Sequence, residues 1–383
     1  MWNLFKIINF FWLLTSTNAW FCSQLPFTAI LFMVNIGLII CMGILPIQVI
    51  LDRNIARSVL AMLGIVVWTC FIDGLPMGII MFLSYFPGII LTILPINYQK
   101  DLLQFITKWL AILLGIGVVE YFLLFIINLP SIGMFIHPNY EPYINYGFYI
   151  QTTASFTEFW RFNAFFLEPG HLAMLSTFLI IANNFNIKKN PYCAILLLTV
   201  ILSFSLAGYL LLFLGWGLFW IKNIKRLIFT LITLTIAVTI ISNWNLGDNP
   251  INELIISRLE YDNEKGIKGN NRFNNETDFV YKKGQKNGWN WVGMKDHANL
   301  DLIDGAGFKI FVLKYGWIGV ILALLFYLSI IPRDCNVRYT SIFVFIIAAC
   351  FIQRAYPFTY TWLLPYILGI YTNRNQLTDK MIE

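Results

Sequence analysis

Arg161, Glu168 and His171 lie within eleven residues of one another in the stretch RFNAFFLEPGHLAM. Arginine carries a permanent positive charge that binds anions, whereas glutamate and histidine can take up or release protons. Pro169 suits the first turn of a helix, so Glu168 is expected beside the positive end of that helix, which lowers the cost of its charge. Arg161 faces the same side if the preceding residues are helical. The spacing leaves two interpretations open: a functional site, or an interfacial Arg–Glu pair with a snorkelling arginine.

The composition is that of a membrane protein. Of 383 residues, 58% are hydrophobic and 12% are charged, and the mean hydropathy is +0.69. A soluble globular chain has about 25% charged residues, so these apolar runs indicate a polytopic protein whose helices pack in lipid. The net charge of +6 comes from basic residues in the breaks between the runs, and it does not indicate a nucleic-acid partner. The six cysteines form no C-x-x-C pair, which favours neither a metal site nor a disulfide framework.

The apolar segments predict an all-α polytopic integral membrane protein with about twelve transmembrane helices. The segments are 7–22, 27–50, 57–72, 76–96, 104–128, 167–183, 191–206, 208–221, 227–242, 308–331, 339–352 and 357–372. Several are shorter than the roughly 20 residues that span a bilayer, so this count is approximate.

Five regions follow from these segments. They are N-terminal transmembrane helices in 1–129, an aromatic extracytoplasmic interfacial segment in 130–166, central transmembrane helices in 167–242, a large extracytoplasmic loop in 243–307, and C-terminal transmembrane helices with a cytoplasmic tail in 308–383. Within the large loop, Ile251, Leu254, Ile255 and Leu259 recur at helical spacing and predict an amphipathic helix.

The distribution of lysine and arginine predicts the orientation. With both termini in the cytoplasm, every short inside loop holds at least one basic residue, and the short outside loops hold almost none. All three histidines, His137, His171 and His297, are then extracytoplasmic. The outer face holds no ATP or nucleotide sugar, so a substrate there must carry its own activated bond or only bind.

Three stretches together resemble one known superfamily. The pattern R-x-x-A-x-F-x-E-P-x-x-x-A at 161–173, the stretch SFSLAGYLLLFL at 203–214 and the stretch FKIFVLKYGWIGVIL at 308–322 occur in this order. They resemble the motifs of O-antigen polymerases and their O-antigen ligase relatives. Ligases have a His-Asn pair about eleven residues before the first glycine of the last stretch, where this chain has Gly305-Ala306, and this difference favours a polymerase.

The resemblance implies a GT-C-like membrane glycosyltransferase of the bacterial plasma membrane. Such an enzyme transfers a growing glycan from one undecaprenyl-diphosphate carrier to the non-reducing-end sugar of another, on the outer face, and releases undecaprenyl diphosphate. The products are O-antigen in lipopolysaccharide, capsule or other exopolysaccharide. The implied partners are the lipid-linked oligosaccharide as donor and acceptor, membrane lipid and a chain-length regulator protein. No metal or other cofactor is expected.

The resemblance also suggests roles for individual basic residues. Without a metal, arginines must stabilise the negative charge that develops on the diphosphate. Arg161 and Arg272 are the first choices, Arg258 and Arg354 are reserves, and Lys314 is added as a charge inside an apolar run. Arg272 could equally be a solvated loop charge and Lys314 a snorkelling residue.

A general base must take the proton of the attacking sugar hydroxyl. Glu168 and His297 are the main choices; His171 follows, although it could only orient Glu168 from one helical turn away. Asp304 is a minor choice, and His137 is more consistent with a structural hydrogen bond. Trp289 and Trp291 are predicted to stack on sugar rings, although most aromatic residues of such a chain are packing residues and interface anchors.

Several alternatives remain open. The stretch EYDNE places Glu260, Asp262 and Glu264 where they could bind a divalent cation, but a solvated acidic loop tip explains them more simply. Glu120 lies in an apolar run, where a charge costs roughly 2.5 kcal/mol or more and should face protein or a wet cavity. The rival functions are an O-antigen ligase, a flippase or transporter for a lipid-linked sugar, and a non-catalytic scaffold.

Overall fold

The computed structural model describes residues 1–47, 53–127, 129–137, 142–153, 161–221, 252–262, 266–267, 275–294, 307–354 and 359–374, with isolated positions between 225 and 243. The chain forms two compact units. Unit 1 comprises Met1–Thr17, Leu25–Ile106 and Arg272–Glu383, and unit 2 comprises Asn18–Gln24 and Thr107–Asn271.

The protein is mostly helical, as the apolar segments predicted. The α-helices are α1 (Trp2–Ser16), α2 (Trp20–Ser23), α3 (Phe27–Ile44), α4 (Arg53–Asp73), α5 (Leu75–Ile93), α6 (Ile96–Ile127), α7 (Pro169–Ala182), α8 (Pro191–Leu202), α9 (Leu206–Trp220), α10 (Ser257–Leu259), α11 (Asn275–Lys286), α12 (Trp289–Val292), α13 (Phe308–Ser329), α14 (Val337–Gln353) and α15 (Tyr360–Thr372). A π-helical turn at Asn252–Ile256 runs directly into α10.

Within the described residues, five helices are long and apolar enough to cross a membrane, namely α3, α4, α5, α6 and α13. Helices α7, α8, α9 and α14 are apolar but shorter. A membrane-embedded helical protein is therefore confirmed, whereas the count of twelve spans remains a prediction. The first apolar segment, 7–22, is not one continuous helix, because α1 ends at Ser16 and Asn18 has a left-handed backbone conformation with φ 58°.

Unit 1 is built around α4, α5 and α13, with α15 packed on α5 and α1 packed on α3 and α15. Tyr85 of α5 meets Phe326 of α13 edge to face, with ring centroids 4.6 Å apart. The hydroxyl of Tyr366 on α15 donates to the backbone oxygen of Tyr327 on α13. Buried aromatic residues with a polar tip thus join neighbouring helices by both packing and hydrogen bonds.

Unit 2 contains a small sheet that the sequence did not predict. Strands β1 (Gly133–Phe135), β2 (Tyr143–Asn145) and β3 (Ile150–Thr152) pair antiparallel in the order β1-β2-β3, with Phe135 opposite Tyr143 and Asn145 opposite Ile150. The segment 130–166, predicted as interfacial, therefore includes a β-sheet. Its pairing satisfies the backbone hydrogen-bonding groups of a stretch that lacks helical periodicity.

The rest of unit 2 contains helices α7, α8 and α9 and part of the predicted outer loop. Leu254 in the predicted amphipathic helix is buried and Leu259 is exposed, so the apolar residues at helical spacing do not share one buried face. A short hairpin follows, in which β4 (Tyr261–Asp262) pairs with β5 (Gly266–Ile267). The predicted helix is thus a π-helical turn followed by a single short α-helix.

Candidate functional site

Glu168 lies at the N-terminus of α7, as its position before Pro169 predicted. Glu168 has extended backbone angles (φ −131°, ψ 136°) and is the N-cap residue, and Pro169 is the first helical residue. The backbone N–H of His171 donates to the backbone oxygen of Glu168 at 3.1 Å, which closes the first turn. The Glu168 carboxylate is therefore next to the positive end of the α7 dipole, where a negative charge is stabilised.

The backbone from Arg161 to Glu168 does not follow the helical path that their spacing in the sequence suggested. Residues 161–163 are not helical and a turn follows at Ala164, whose φ is 49°, so the helical spacing of Arg161 and Glu168 does not apply. Instead, Nε of Arg161 donates to the backbone oxygen of Ser203 at 3.2 Å. The Arg161 guanidinium also interacts electrostatically with the hydroxyl of Tyr209 on α9. Arg161 is thus held at the turn between α8 and α9.

Helices α7 and α9 run side by side in the same direction. A Cβ atom on Gly208 would lie 2.4 Å from the Cβ atom of Ala173, and a Cβ atom on Gly215 would lie 2.7 Å from Cδ1 of Ile181. The two contacts ascend both helices together, so the helices are parallel and their N-termini lie at the same end. Two of the stretches that carry the resemblance, 161–173 and 203–214, are therefore packed against each other at their glycine and alanine positions.

The turn that starts α9 is specified by local polar chemistry. Ser203 Oγ donates to the backbone oxygen of Val200 at 2.7 Å, and it accepts from the backbone N–H of Ser205 at 3.2 Å. Ser205 in turn caps α9 by accepting from the backbone N–H of Gly208. Phe204 between them adopts a left-handed conformation with φ 45°. The sequence SFS thus reverses the chain sharply and brings the N-terminus of α9 beside that of α7.

Lys314 and the third stretch, 308–322, lie in unit 1 around a break in α13. Gly316 has non-helical angles (φ 70°, ψ 174°) inside α13. The indole N–H of Trp68 donates to the backbone oxygen of Tyr315 at 2.8 Å, which satisfies a carbonyl beside the break. Nζ of Lys314 lies 3.6 Å from Oδ2 of Asp73, whose side chain is only 5% exposed. Lys314 is therefore paired with a buried carboxylate.

The predicted sugar-binding tryptophans lie on α12 in unit 1. Trp289 is 40% exposed and Trp291 is 61% exposed, so both rings present accessible faces. Nζ of Lys283 lies over the Trp289 ring at 5.9 Å from its centroid. Their exposure is compatible with stacking on a sugar, and this role stays a prediction.

The two arginines predicted as reserve diphosphate ligands lie within the described residues. Arg354 is half-buried and follows the last residue of α14, and Arg258 lies in α10. Their predicted roles at a diphosphate are not tested by these positions.

Three residues with predicted roles lie outside the described residues, namely Arg272, His297 and Asp304. Of the acidic stretch EYDNE, Glu260 and Asp262 are described and Glu264 is not. In the described part of the chain, no three His, Cys, Asp or Glu side chains come together as a metal site would need. The expectation of a metal-independent reaction stays a prediction.

Burial changes the proton affinity of two groups beside the sheet. It lowers the pKa of His137, so burial favours the neutral form of this half-buried histidine. Burial also raises the pKa of the Tyr149 hydroxyl well above its ordinary value, which keeps that group protonated. A neutral His137 is consistent with a structural position.

Glu120, which the sequence predicted to face protein or a wet cavity, contacts protein at the turn beside the sheet. Its Oε2 accepts from the backbone N–H of Tyr149 at 2.7 Å, at the turn between β2 and β3. A glutamate in an apolar run was the available signal, but nothing in the sequence pointed to a partner in a β-turn. The acidic side chain thus has a defined backbone partner in unit 2.

No protein-family model matches this chain, and no curated protein and no solved structure matches it significantly. A function must therefore be inferred from the residues themselves and from how the structure arranges them.

Proposed function

We propose that this chain is a membrane glycosyltransferase that polymerises undecaprenyl-diphosphate-linked oligosaccharide repeats on the outer face of the bacterial plasma membrane. The observation that carries the proposal is the grouping of Arg161 and Glu168 at the adjacent N-termini of the parallel helices α7 and α9. This grouping supports a single site that binds the diphosphate and activates the attacking hydroxyl.

The leaving group accounts for the positive side of this site. As the bond between the anomeric carbon and the diphosphate oxygen breaks, negative charge develops on the diphosphate. Each helix N-terminus carries roughly half a positive charge, and both point to the end where Arg161 is held. An arginine adds up to two hydrogen bonds to phosphate oxygens in a fixed geometry. These groups are positioned before the reaction, which is the condition for electrostatic stabilisation of a transition state.

The acidic residue accounts for the other half of the reaction. The oxygen of the acceptor sugar hydroxyl bonds to the anomeric carbon, its proton passes to a base, and undecaprenyl diphosphate departs with the electrons of the broken bond. In the proposal, Glu168 is that base, with His297 as the alternative and His171 as a residue that orients Glu168. The positive end of α7 favours the ionised carboxylate, so Glu168 is ready to accept a hydrogen bond from the hydroxyl at neutral pH.

The finer features predicted from the sequence belong to the same proposal. They are about twelve transmembrane helices in a GT-C-like arrangement, cytoplasmic termini, Arg272, Arg258, Arg354 and Lys314 as further diphosphate ligands, and Trp289 and Trp291 as sugar-stacking residues. A chain-length regulator protein is a proposed partner, and the reaction is proposed to need no metal. The short apolar helices α7, α8 and α9 are compatible with a site at their ends, since polar groups inside a membrane protein concentrate where helices begin and end.

The test is reconstitution of the purified protein in vesicles with a lipid-linked repeat unit, followed by gel sizing of the glycan. The wild-type protein should lengthen the glycan, and Arg161→Ala should reduce the rate by about 100-fold or more, as expected for loss of a preorganised charge donor. Arg161→Lys should give an intermediate rate, because a lysine keeps the charge but lacks the planar fork. Arg333→Ala, at an exposed position outside the site, is the matched control and should leave the rate unchanged.

The rival functions give different products. A ligase would transfer a finished glycan to another acceptor without lengthening it, and a flippase would move single repeats across the vesicle membrane. If the wild-type protein leaves the repeat at its original length, or if Arg161→Ala polymerises at the wild-type rate, the proposed function is wrong.

A further inference from the structure

Glu120 is an acidic residue in the apolar C-terminal part of α6, and its carboxylate is bound by a backbone N–H group. Oε2 accepts from Tyr149 N at 2.7 Å. Hydrogen bonds to an ionised acceptor are about twice as strong as neutral ones. An unpaired charge inside an apolar run is costly, so this hydrogen bond offsets part of that penalty.

Two glycines allow the close approach that this contact requires. A Cβ atom on Gly117, one turn before Glu120, would lie 2.7 Å from the backbone oxygen of Phe148. Gly147 has φ +121°, and a Cβ atom there would lie 3.0 Å from Oε1 of Glu120. Glycine at both positions therefore lets the helix and the turn approach until the carboxylate reaches the Tyr149 amide.

A continuous series of contacts leads from this turn to Arg161. The ring of Tyr149 stacks on the ring of Phe162, with centroids 5.9 Å apart and planes 8° apart. Tyr121, the residue after Glu120, meets both rings edge to face at 5.3 and 5.4 Å. Phe162 is fully buried and is the immediate neighbour of Arg161. The turn held by Glu120 and the arginine therefore share one packed aromatic cluster.

Backbone hydrogen bonds also connect the residues around Arg161 to strand β3 and to the end of α8. Ile150 N donates to the backbone oxygen of Ala164 at 2.9 Å, which joins β3 to the segment that follows Arg161. Phe162 N donates to the backbone oxygen of Leu202 at 3.1 Å, next to the Ser203 oxygen that accepts from Arg161. The position of Arg161 is thus fixed from both sides by residues that contact the β2–β3 turn or the end of α8.

We infer that Glu120 is a positioning residue: by holding the β2–β3 turn through the backbone amide of Tyr149, it fixes the Tyr149–Phe162 stack and thereby sets where Arg161 lies at the N-termini of α7 and α9. The geometric part of this inference stands on the contacts alone. Its catalytic consequence rests on the proposed function, because it concerns the diphosphate that Arg161 is proposed to bind.

Hydrogen exchange tests the geometric part without any substrate. Glu120→Ala should speed the exchange of the Tyr149, Ile150 and Phe162 amides by about ten-fold or more, the equivalent of one lost hydrogen bond. Val119→Ala is the matched control, because Val119 is the preceding residue on α6 and its side chain is 58% exposed. Faster exchange confined to Tyr149, with Phe162 unchanged, would overturn the inference.

A second variant keeps the experiment decisive if Glu120→Ala does not fold. Glu120→Gln retains one carbonyl oxygen as an acceptor, so it should fold and show a smaller increase in exchange at the same amides. Unchanged exchange at all three amides in a folded Glu120→Gln or Glu120→Ala protein would also overturn the inference.

A double-mutant comparison tests the catalytic consequence. Glu120→Ala should lower kcat/KM about ten-fold in the wild-type protein, because small displacements of a charge donor cost large factors in rate. In the Arg161→Lys background it should lower kcat/KM by less than about two-fold, since residues that act through one another are not additive. Equal losses in both backgrounds would show that Glu120 acts independently of Arg161 and would overturn the inference. A wild-type protein that does not polymerise refutes the proposed function instead, and the exchange result still decides the positioning.

Discussion

Individual ionisable side chains of this protein are tied to specific partners. Glu120 accepts from the backbone of Tyr149, Arg161 donates to the backbone of Ser203, and Lys314 lies beside the carboxylate of Asp73. Away from water, each charge requires such a partner, because desolvation of an unpaired ion costs more than a packed helix gains. The sequence identified all three charges, but each has a partner on a different secondary-structure element.

The buried hydroxyl of Tyr149 leads to a prediction about the stability of a single substitution. Tyr149 is fully buried, and no group in the described part of the chain hydrogen-bonds to its hydroxyl. Tyr149→Phe keeps the ring stack and removes a buried polar group, so the free energy of unfolding should stay unchanged or rise by about 1–3 kcal/mol.

Thermal unfolding of the detergent-solubilised protein measures this effect. A matched substitution is Tyr143→Phe, since the Tyr143 hydroxyl donates to the backbone oxygen of Leu167 at 2.7 Å and its loss should destabilise the protein. A Tyr149→Phe protein that unfolds as early as Tyr143→Phe would mean that the Tyr149 hydroxyl is satisfied in the folded state.

Glycine occupies several positions where two elements of this chain come close. Gly208 lets α9 approach α7, Gly117 lets α6 approach the β2–β3 turn, and Gly316 breaks α13. Small residues at helix contacts are expected in membranes, where close packing and not hydrophobic collapse holds helices together. The stretches at 161–173 and 203–214 are partly explained by this requirement, apart from any chemistry.

The contact between α7 and α9 predicts an asymmetry between two glycine-to-alanine substitutions. Gly208→Ala would bring a methyl group to 2.4 Å from the Ala173 methyl, so α9 must move and the protein should lose about 1–3 kcal/mol of stability. Gly115→Ala on α6 would meet only Ile195 at 3.8 Å, so it should be neutral or stabilising by up to about 1 kcal/mol. Melting temperatures in detergent measure both, and equal destabilisation would contradict the close contact of α7 and α9.

The break in α13 predicts a second contrast. Gly316 and Gly288 both have positive φ, but a Cβ atom on Gly316 would lie 2.3 Å from the backbone oxygen of Trp291, whereas a Cβ atom on Gly288 has no neighbour within 4 Å. Gly288→Ala should cost only backbone strain of about 1–2 kcal/mol. Gly316→Ala adds a collision with fixed backbone and should destabilise the protein further. The unfolding temperatures of the two variants test this contrast, and equal temperatures would mean that α12 does not pack against the break.

The protein is membrane-embedded and mostly helical, and its orientation is a prediction from the positive-inside rule. This rule places Lys188 and Lys189 in the cytoplasm and the loop 243–307 outside. The arrangement matters for the proposed function, because a lipid-linked oligosaccharide is polymerised only on the outer face.

Cysteine labelling tests that orientation. In a variant whose six native cysteines are replaced, Gln285→Cys on α11 should react with a membrane-impermeant maleimide on intact cells, because Gln285 is exposed in the predicted outer loop. Lys188→Cys, also exposed, should react only after the membrane is permeabilised. The reverse pattern would place the Arg161 site on the cytoplasmic face and exclude the proposed reaction.

The membrane class, the helical fold and the start of α7 at Pro169 could be predicted from the sequence alone. Hydropathy and helix-start signals are properties of neighbouring residues, so they are readable without knowing what packs where. The same reasoning missed the sheet at 133–152, since short strands have weak local signals.

The contacts of the candidate site residues could be found only from the tertiary structure. Glu120 meets an amide 29 residues away and Arg161 meets a carbonyl 42 residues away, across elements whose packing no local pattern encodes. The parallel course of α7 and α9 likewise depends on how a glycine and an alanine meet between helices. The free energy of transfer from water to lipid determines which segments enter the membrane, and it depends on neighbouring residues. The packing of backbones that are far apart in the sequence determines which partner each charged group contacts.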